Sequence, residues 1–277
     1  MRIFLVRHGQ SRANLDWEEN RRVADHAIAL SEEGRKQARA AGDFLARYFF
    51  DRLTVGQPWR TPPIRLWHSP YLRCRQTAAE IEGACRLPLV DSDFDHDDRT
   101  TWQIGPVYGA AANEPRVYPD RRDGDPWFLD AREHLLLAEQ QFGIFDGLSD
   151  DERRERYPDM QAYYEKCKKF EGKLWPKMPL GESRFEVCQR VHQAFGTFHR
   201  DAQKHGIENV VIVGHGTTNR AFVMMWLHLR YEWMHEEPNP RNCSIRLLED
   251  GEDRGYIFEG FEHAEGYNHE ANRETEE

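Results

Sequence analysis

Arg2-Ile3-Phe4-Leu5-Val6-Arg7-His8-Gly9-Gln10-Ser11 is the stretch from which the rest of the chain is best understood. Ile3 to Val6 form a continuous apolar run rich in β-formers, as expected of a strand buried on both faces. Such strands belong to mainly parallel sheets, whose ligands gather at the strands' carboxyl ends. Here the run stops abruptly at Arg7-His8-Gly9 and a polar stretch carries Ser11 and Asn14. A cation, an imidazole and a glycine that permits close backbone approach suit an anionic group. A polar turn after a strand reads the same over three residues, so the rest of the chain must decide.

Outward from this stretch, Leu30-Ser31-Glu32-Glu33 reads as a helix start, with Ser31 as N-cap and two acids in the first turn. Ala38, Ala41, Leu45 and Tyr48 follow on one face. Pro58, Pro62 and Pro63 break the pattern. Ile64 to His68 read as a second strand ending at Ser69-Pro70, then a helix through Gln76 to Ala84 and a brief strand at Leu87 to Val90. From Asp91 to about His134 no period is sustained, which suggests an inserted loop region at the rim of a site. Its acidic run Asp93, Asp95, His96, Asp97, Asp98 reads either as hard-cation ligands or as a solvated turn, and its spacing matches no known loop. Tyr157 to Lys173 suggest a helical flap, placed within residues 148–180. Ser183 and Glu186 have capping-box spacing, with Val187, Val191, Ala194 and Phe198 on one face. Asn209 to Val213 form the clearest strand and run into Gly214-His215-Gly216, followed by a helix from Thr217 to Leu229. Ser244 to Leu248 alternate as an edge strand would. Residues 263–277 read as a disordered tail. Residues 1–262 are therefore expected to form one domain, a three-layer α/β/α sandwich around a mainly parallel sheet.

Composition narrows the function. A net charge of −10 over 277 residues, with pI near 5.7, argues against coating nucleic acid or an anionic membrane. A mean hydropathy of −0.84 implies much polar surface. The odd count of five cysteines, with no CxxC pair, suits reduced thiols in the cytoplasm. No signal-peptide pattern opens the chain and no apolar run is long enough for a bilayer, so a cytoplasmic protein is the expectation.

Two apolar strands thus end in histidine beside glycine, at His8 and His215, and a third ends just before Arg73 and Arg75. Parallel strands share a carboxyl edge, so these groups can converge on one small anion. Arginine forks match phosphate oxygens, and a neutral imidazole can attack phosphorus and leave again. That pocket needs no metal or other cofactor.

Arg7 to Asn14, Leu30 to Gly34 with Gln37-Ala38, Ser69 to Thr77, Gly181-Glu182-Ser183 and Gly214-His215-Gly216 together resemble, in order, the motifs of the histidine phosphatase, or phosphoglycerate mutase-like, superfamily. Glu139 to Gly147 resemble the block carrying its proton donor. With Asn239 to Ile245, that block is most similar to the broad-range acid phosphatase branch. The resemblance implies a phosphoglycerate mutase-like fold and a small phosphorylated substrate. It implies that His8 is the nucleophile and that Arg7, Arg73 and His215 hold the phosphoryl oxygens. Asn14 and the Gly216 amide would add hydrogen bonds, and Glu139 would protonate the leaving oxygen. Two departures stand out: the long 91–134 segment, and Gln140 where mutases typically carry an arginine. The residues alone leave Glu133, Glu139, Asp146 and Glu182 open as acids. His68, Arg75, Thr217 and Thr218 read as packing, surface or capping residues. The activity expected is phosphomonoester hydrolysis. Its rivals are mutase-type phosphoryl transfer and a phosphate-sensing domain without catalysis.

Overall fold

The computed structural model describes residues 1–49, 64–86 and 129–262. The strand expected at Leu87 to Val90, the acidic run Asp93 to Asp98 and the 263–277 tail lie outside them. In chain order the strands are β1 (Arg2–Arg7), β2 (Ile64–His68), β3 (Leu129–Glu133), β4 (Asn209–Gly214), β5 (Ile245–Glu249) and β6 (Glu252–Phe258). The helices are α1 (Arg12–Leu15), α2 (Glu19–Arg22), α3 (Glu32–Phe49), α4 (Leu72–Arg86), α5 (Asp150–Arg156), α6 (Pro158–Glu171), α7 (Arg184–His205), α8 (Gly216–Trp226) and α9 (Trp233–Glu236).

Alternation along the central strands builds the layers. Ile3 and Leu5 of β1, with Val210 and Ile212 of β4, pack on α7 and α8 through Val187, Val191, Phe198 and Phe222. Phe4, Val6, Val211 and Val213 point the other way, onto Ala38, Ala41 and Leu45 of α3 and Ala78 and Ile81 of α4. Successive side chains of a strand face opposite sides, so a strand buried twice must be apolar throughout. The sheet order is β3-β2-β4-β1-β5-β6. β1, β2, β3 and β4 are mutually parallel, and β5 and β6 are antiparallel additions. The mainly parallel three-layer arrangement expected from the sequence is the one observed.

Two expectations are corrected here. Residues 129–133 were expected within a loop, yet they form β3, parallel to β2. The apolar pattern is missing because ion pairs serve instead: Arg132 bonds Asp201 at 3.0 Å and Glu133 meets Arg75 at 2.7 Å. β5 was expected at an edge, but it lies between β1 and β6. Its polar alternate residue, Arg246, is not solvated. It is held by Asp253 and Glu237, with the rings of Trp233 and Tyr256 beside the guanidinium.

Helices α5 and α6 occupy residues 150–171, within the stretch expected to be helical. Ser149 caps α5 with Glu152 in a capping box, and Pro158 opens α6 where its missing N–H costs nothing. Ser183 and Glu186 make the same reciprocal pair at α7.

Candidate active site

β1 and β4 are in register from Arg2 beside Asn209 to Arg7 beside Gly214, so both histidine-bearing ends stop at one level. The amide of His8 then donates to Gly214 O at 3.0 Å, and that of Ser69, past β2, to Val213 O at 3.0 Å. The imidazoles of His8 and His215 come within 5.3 Å, centroid to centroid.

His8 is buried, and its Nδ1 lies 2.8 Å from Gly9 O. A carbonyl only accepts, so Nδ1 carries a proton, and in the neutral ring the lone pair is then on Nε2. The chain around it is clamped from several sides. Asn242 Nδ2 donates to His8 O, and the Cys243 amide donates to Arg7 O. The Gly9 amide donates to Thr77 Oγ1, whose hydroxyl donates in turn to Arg73 O. Glycine is required at position 9, since a Cβ there would sit 2.4 Å from Gly34 O. Gln37 and Gln76 accept from the amides of Gln10 and Leu30. Much of the motif therefore serves to hold the His8 turn.

His215 is wholly buried at the start of α8, with Nε2 2.7 Å from Ser69 Oγ and the Tyr71 ring 5.0 Å away. Burial holds its pKa well below the ordinary value, helped by the guanidinium groups Arg73, Arg190 and Arg7 and by the neighbouring His8. Arg73 donates from Nη1 to both the carbonyl (2.7 Å) and the carboxylate (2.8 Å) of Asp25, and covers the Tyr71 ring. Arg7 is buried and bonds Pro240 O. Asn14 is buried too, and its Oδ1 accepts from the Ser11 amide at 2.9 Å. Gly216 opens α8, where a Cβ would meet Asn239 Oδ1 at 2.0 Å.

Glu139 sits at the α8 N-terminus. Its carboxyl group accepts from the amides of Thr217 and Thr218, each at 3.2 Å, while Thr218 Oγ1 donates to Ala138 O at 2.7 Å and lies 3.1 Å from Glu139 Oε1. The free amides of a helix N-terminus are ready partners for such a carboxyl group. Thr217 and Thr218 thus do more than cap a helix: they place a carboxylate next to His215. Glu182 is bound through both oxygens to Arg190, and Glu133 is paired with Arg75 on β3. Asp146 also lies within electrostatic reach of Asp25 and Arg73. Partial withdrawal from water and the nearby Asp25 carboxylate push its pKa up, although its side chain keeps open surface. His68 is fully buried with Nδ1 against Ser69 O.

Arg7, His8, Arg73 and His215 are brought together, and Glu139 lies close enough to bear electrostatically on Arg73, Tyr71 and Cys74. Asp25, Tyr71 and Arg190 were missed from sequence. Arg190 had one signal, a charged residue beside the buried Val187 and Val191 of an amphipathic helix. Among the described residues, no group of three or more His, Cys, Asp or Glu side chains is arranged to hold a metal ion.

Two guanidinium groups, two imidazoles and a carboxyl group gather at a parallel-sheet edge, a set that suits a small anion. The chain belongs to the histidine phosphatase superfamily, branch 1, whose profile it matches over residues 3–127 and 121–259. It is similar to the phosphoglycerate mutase-like protein AT74H of Arabidopsis thaliana, 29% identical over 266 residues, covering 93% of this chain and 76% of that protein. It is also similar to the broad-range acid phosphatase DET1 of Saccharomyces cerevisiae, 26% identical over 299 residues, covering 89% of this chain and 84% of that one. In fold it is like Bacillus stearothermophilus YhfR, with a TM-score of 0.57 at 17% identity over 95% of this chain and 98% of that one. A mycobacterial glucosyl-3-phosphoglycerate phosphatase gives 0.54 at 19% identity, over 95% and 99%. The fold is the phosphoglycerate mutase-like one.

Proposed function

We propose that the chain is a phosphomonoesterase that hydrolyses small phosphorylated metabolites through a phosphohistidine on His8, without metal or other cofactor. The observation that carries this reading is the 2.8 Å contact of His8 Nδ1 with Gly9 O beside Arg7, Arg73 and His215. It places the proton of the neutral ring on Nδ1 and leaves Nε2 as the nucleophilic nitrogen.

Nε2 attacks phosphorus in line as the bond to the leaving oxygen breaks, and Glu139 gives that oxygen its proton. Water then attacks the phosphohistidine. Glu139, now a carboxylate, takes the water's proton, the P–N bond breaks and phosphate leaves. Arg7 and Arg73 spread the charge of the equatorial oxygens, where most of the catalytic work of phosphoryl transfer lies. Neutral His215 donates a hydrogen bond there without acting as an acid. Nδ2 of Asn14 and the Gly216 amide supply further donors.

Hydrolysis is favoured over mutase-type transfer by Gln140. It is buried, and its amide is spent on Glu182 O at 2.9 Å, where the mutase motif has an arginine. A relative named a broad-range acid phosphatase supports the same choice. Residues 1–262 are read as the catalytic domain, with the 148–180 flap bordering the pocket. No described helix is long and apolar enough to cross a membrane. Five free thiols fit a cytoplasmic setting.

Turnover of a radiolabelled phosphomonoester followed by rapid quench should trap acid-labile, base-stable label on His8. His8→Ala should abolish both label and turnover, and near wild-type activity in that variant would sink the mechanism.

A further inference from the structure

Between α7 and the Glu139 segment, one guanidinium has every donor occupied. Arginine offers five N–H groups in a planar fork. In Arg190, Nε bonds Glu182 Oε1 at 2.9 Å, Nη1 bonds the carbonyls of Leu136 (2.7 Å) and Ala138 (2.8 Å), and Nη2 bonds Glu139 O and Glu182 Oε2, both at 3.0 Å.

We infer that Arg190 is the positioning residue for the Glu139 acid, acting with Glu182 as a latch that fixes the backbone beneath it. This rests on Glu139 being the proton donor. Past the short 3-10 turn Leu135–Leu137 the chain runs without regular structure through Glu139. Its carbonyls therefore have no helix or sheet partners, and buried backbone polar groups need some. Arg190 supplies them, one of them on Glu139 itself. Glu182 fastens the next residues: its amide donates to Gln141 O at 2.8 Å, its carbonyl accepts from Gln140 Nε2 at 2.9 Å, and its Oε2 takes the Gln141 amide at 3.1 Å. Both partners are largely buried, with side chains 15% and 18% exposed. The carboxyl end is set separately by Thr217 and Thr218. Glu139 is thus held at its backbone by α7 and at its carboxyl by α8.

Protonation needs the acid within about 2.6–3.2 Å of the leaving oxygen. A shift of about 1 Å from a distant change can cost ~10²-fold in rate. Lysine keeps the charge but is a compact donor that cannot span carbonyls and carboxylate together. An arginine that only stabilised the fold would serve all substrates alike, whereas one that places the acid serves those whose leaving group needs a proton.

The test compares kcat/KM for p-nitrophenyl phosphate with that for a simple alkyl phosphate, in wild type, Glu139→Gln, Arg190→Lys and Glu182→Gln. Nitrophenolate leaves without a proton, whereas an alkoxide does not. Arg190→Lys should lower the alkyl phosphate ~10- to 100-fold more than the nitrophenyl ester. Glu182→Gln should act in the same sense but less, and Arg190→Lys should add little selective loss on top of Glu139→Gln. Equal losses for both substrates in Arg190→Lys, with Glu139→Gln still selective, would overturn the inference and leave the acid assignment intact. No selectivity in Glu139→Gln would remove the assignment and the inference with it. If Arg190→Lys does not fold by circular dichroism, Glu182→Gln decides alone: selective loss upholds the latch, and equal loss rejects it.

Discussion

His215 and His8 are the same residue type in one pocket, yet only His8 has a ring nitrogen bonded to a carbonyl that fixes its tautomer. His215 is held neutral by burial, with the nearby arginines adding to the repulsion of a proton. The sign follows from linkage. The unfolded chain protonates a histidine near pH 6.5 but the folded one resists. Stability from His215 is therefore complete above about pH 6.5 and is lost as pH falls toward the lowered folded value. The ring C–H resonances of His215 should show no midpoint near pH 6.5, and a midpoint there would contradict its neutrality. Asp25 makes a second residue-scale case. It orients Arg73 but also places a carboxylate beside the guanidinium proposed to hold the phosphoryl group. Asp25→Asn keeps an oxygen for the bond and removes the charge. A unit charge about 4 Å away in water is worth ~1 kcal/mol, so inhibition by inorganic phosphate should tighten roughly fivefold. Weaker inhibition would show that orientation outweighs repulsion.

At the level of elements, local signals and long-range ones part company. The α3 and α7 starts were readable because Ser31 and Ser183 act within one turn: Ser31 Oγ accepts from the Gly34 amide, and Ser183 Oγ from that of Glu186. β4 was readable because it is apolar throughout. β6 was overlooked although Asp250-Gly251 sits between it and β5 with both φ positive, +55° and +78°. An Asp-Gly pair with that conformation marks a two-residue hairpin turn, and the flanking charges hid it. A Cβ on Gly251 would meet nothing within 4 Å, so Gly251→Ala tests conformation alone. It should cost about 1 kcal/mol in urea unfolding through the left-handed backbone, with the same m-value. No change in midpoint would mean the turn relaxes to another form.

For the molecule as a whole, a net charge of −10 accompanies a site in which Arg7 and Arg73 are buried. Cationic groups in a cleft focus the field locally, so overall acidity need not repel a phosphorylated substrate. Vanadate, which imitates the five-coordinate transition state, should inhibit and should raise Tm in proportion to the logarithm of its concentration above Kd. Chelation should leave activity unchanged. Loss on chelation with recovery on adding a divalent ion would bring the Asp93 to Asp98 run back as a ligand set.

The sequence by itself determined which segments become buried strands and amphipathic helices, and that His8, Arg73 and His215 sit at or just past strand ends. Those features depend on periods, caps and short runs whose physics is complete within a few neighbours. Only the tertiary structure decided what holds these groups. Asp25 meets Arg73 across 48 residues, Arg190 meets Glu139 across 51, and Thr218 meets Glu139 across 79. β3 is a strand because β2 and its ion pairs make it one, and Arg246 is buried because Asp253 and Glu237 meet it there. A charged side chain looks the same in a sequence whether water or a partner satisfies it. Which of the two applies is settled by packing, since burial makes the partner obligatory.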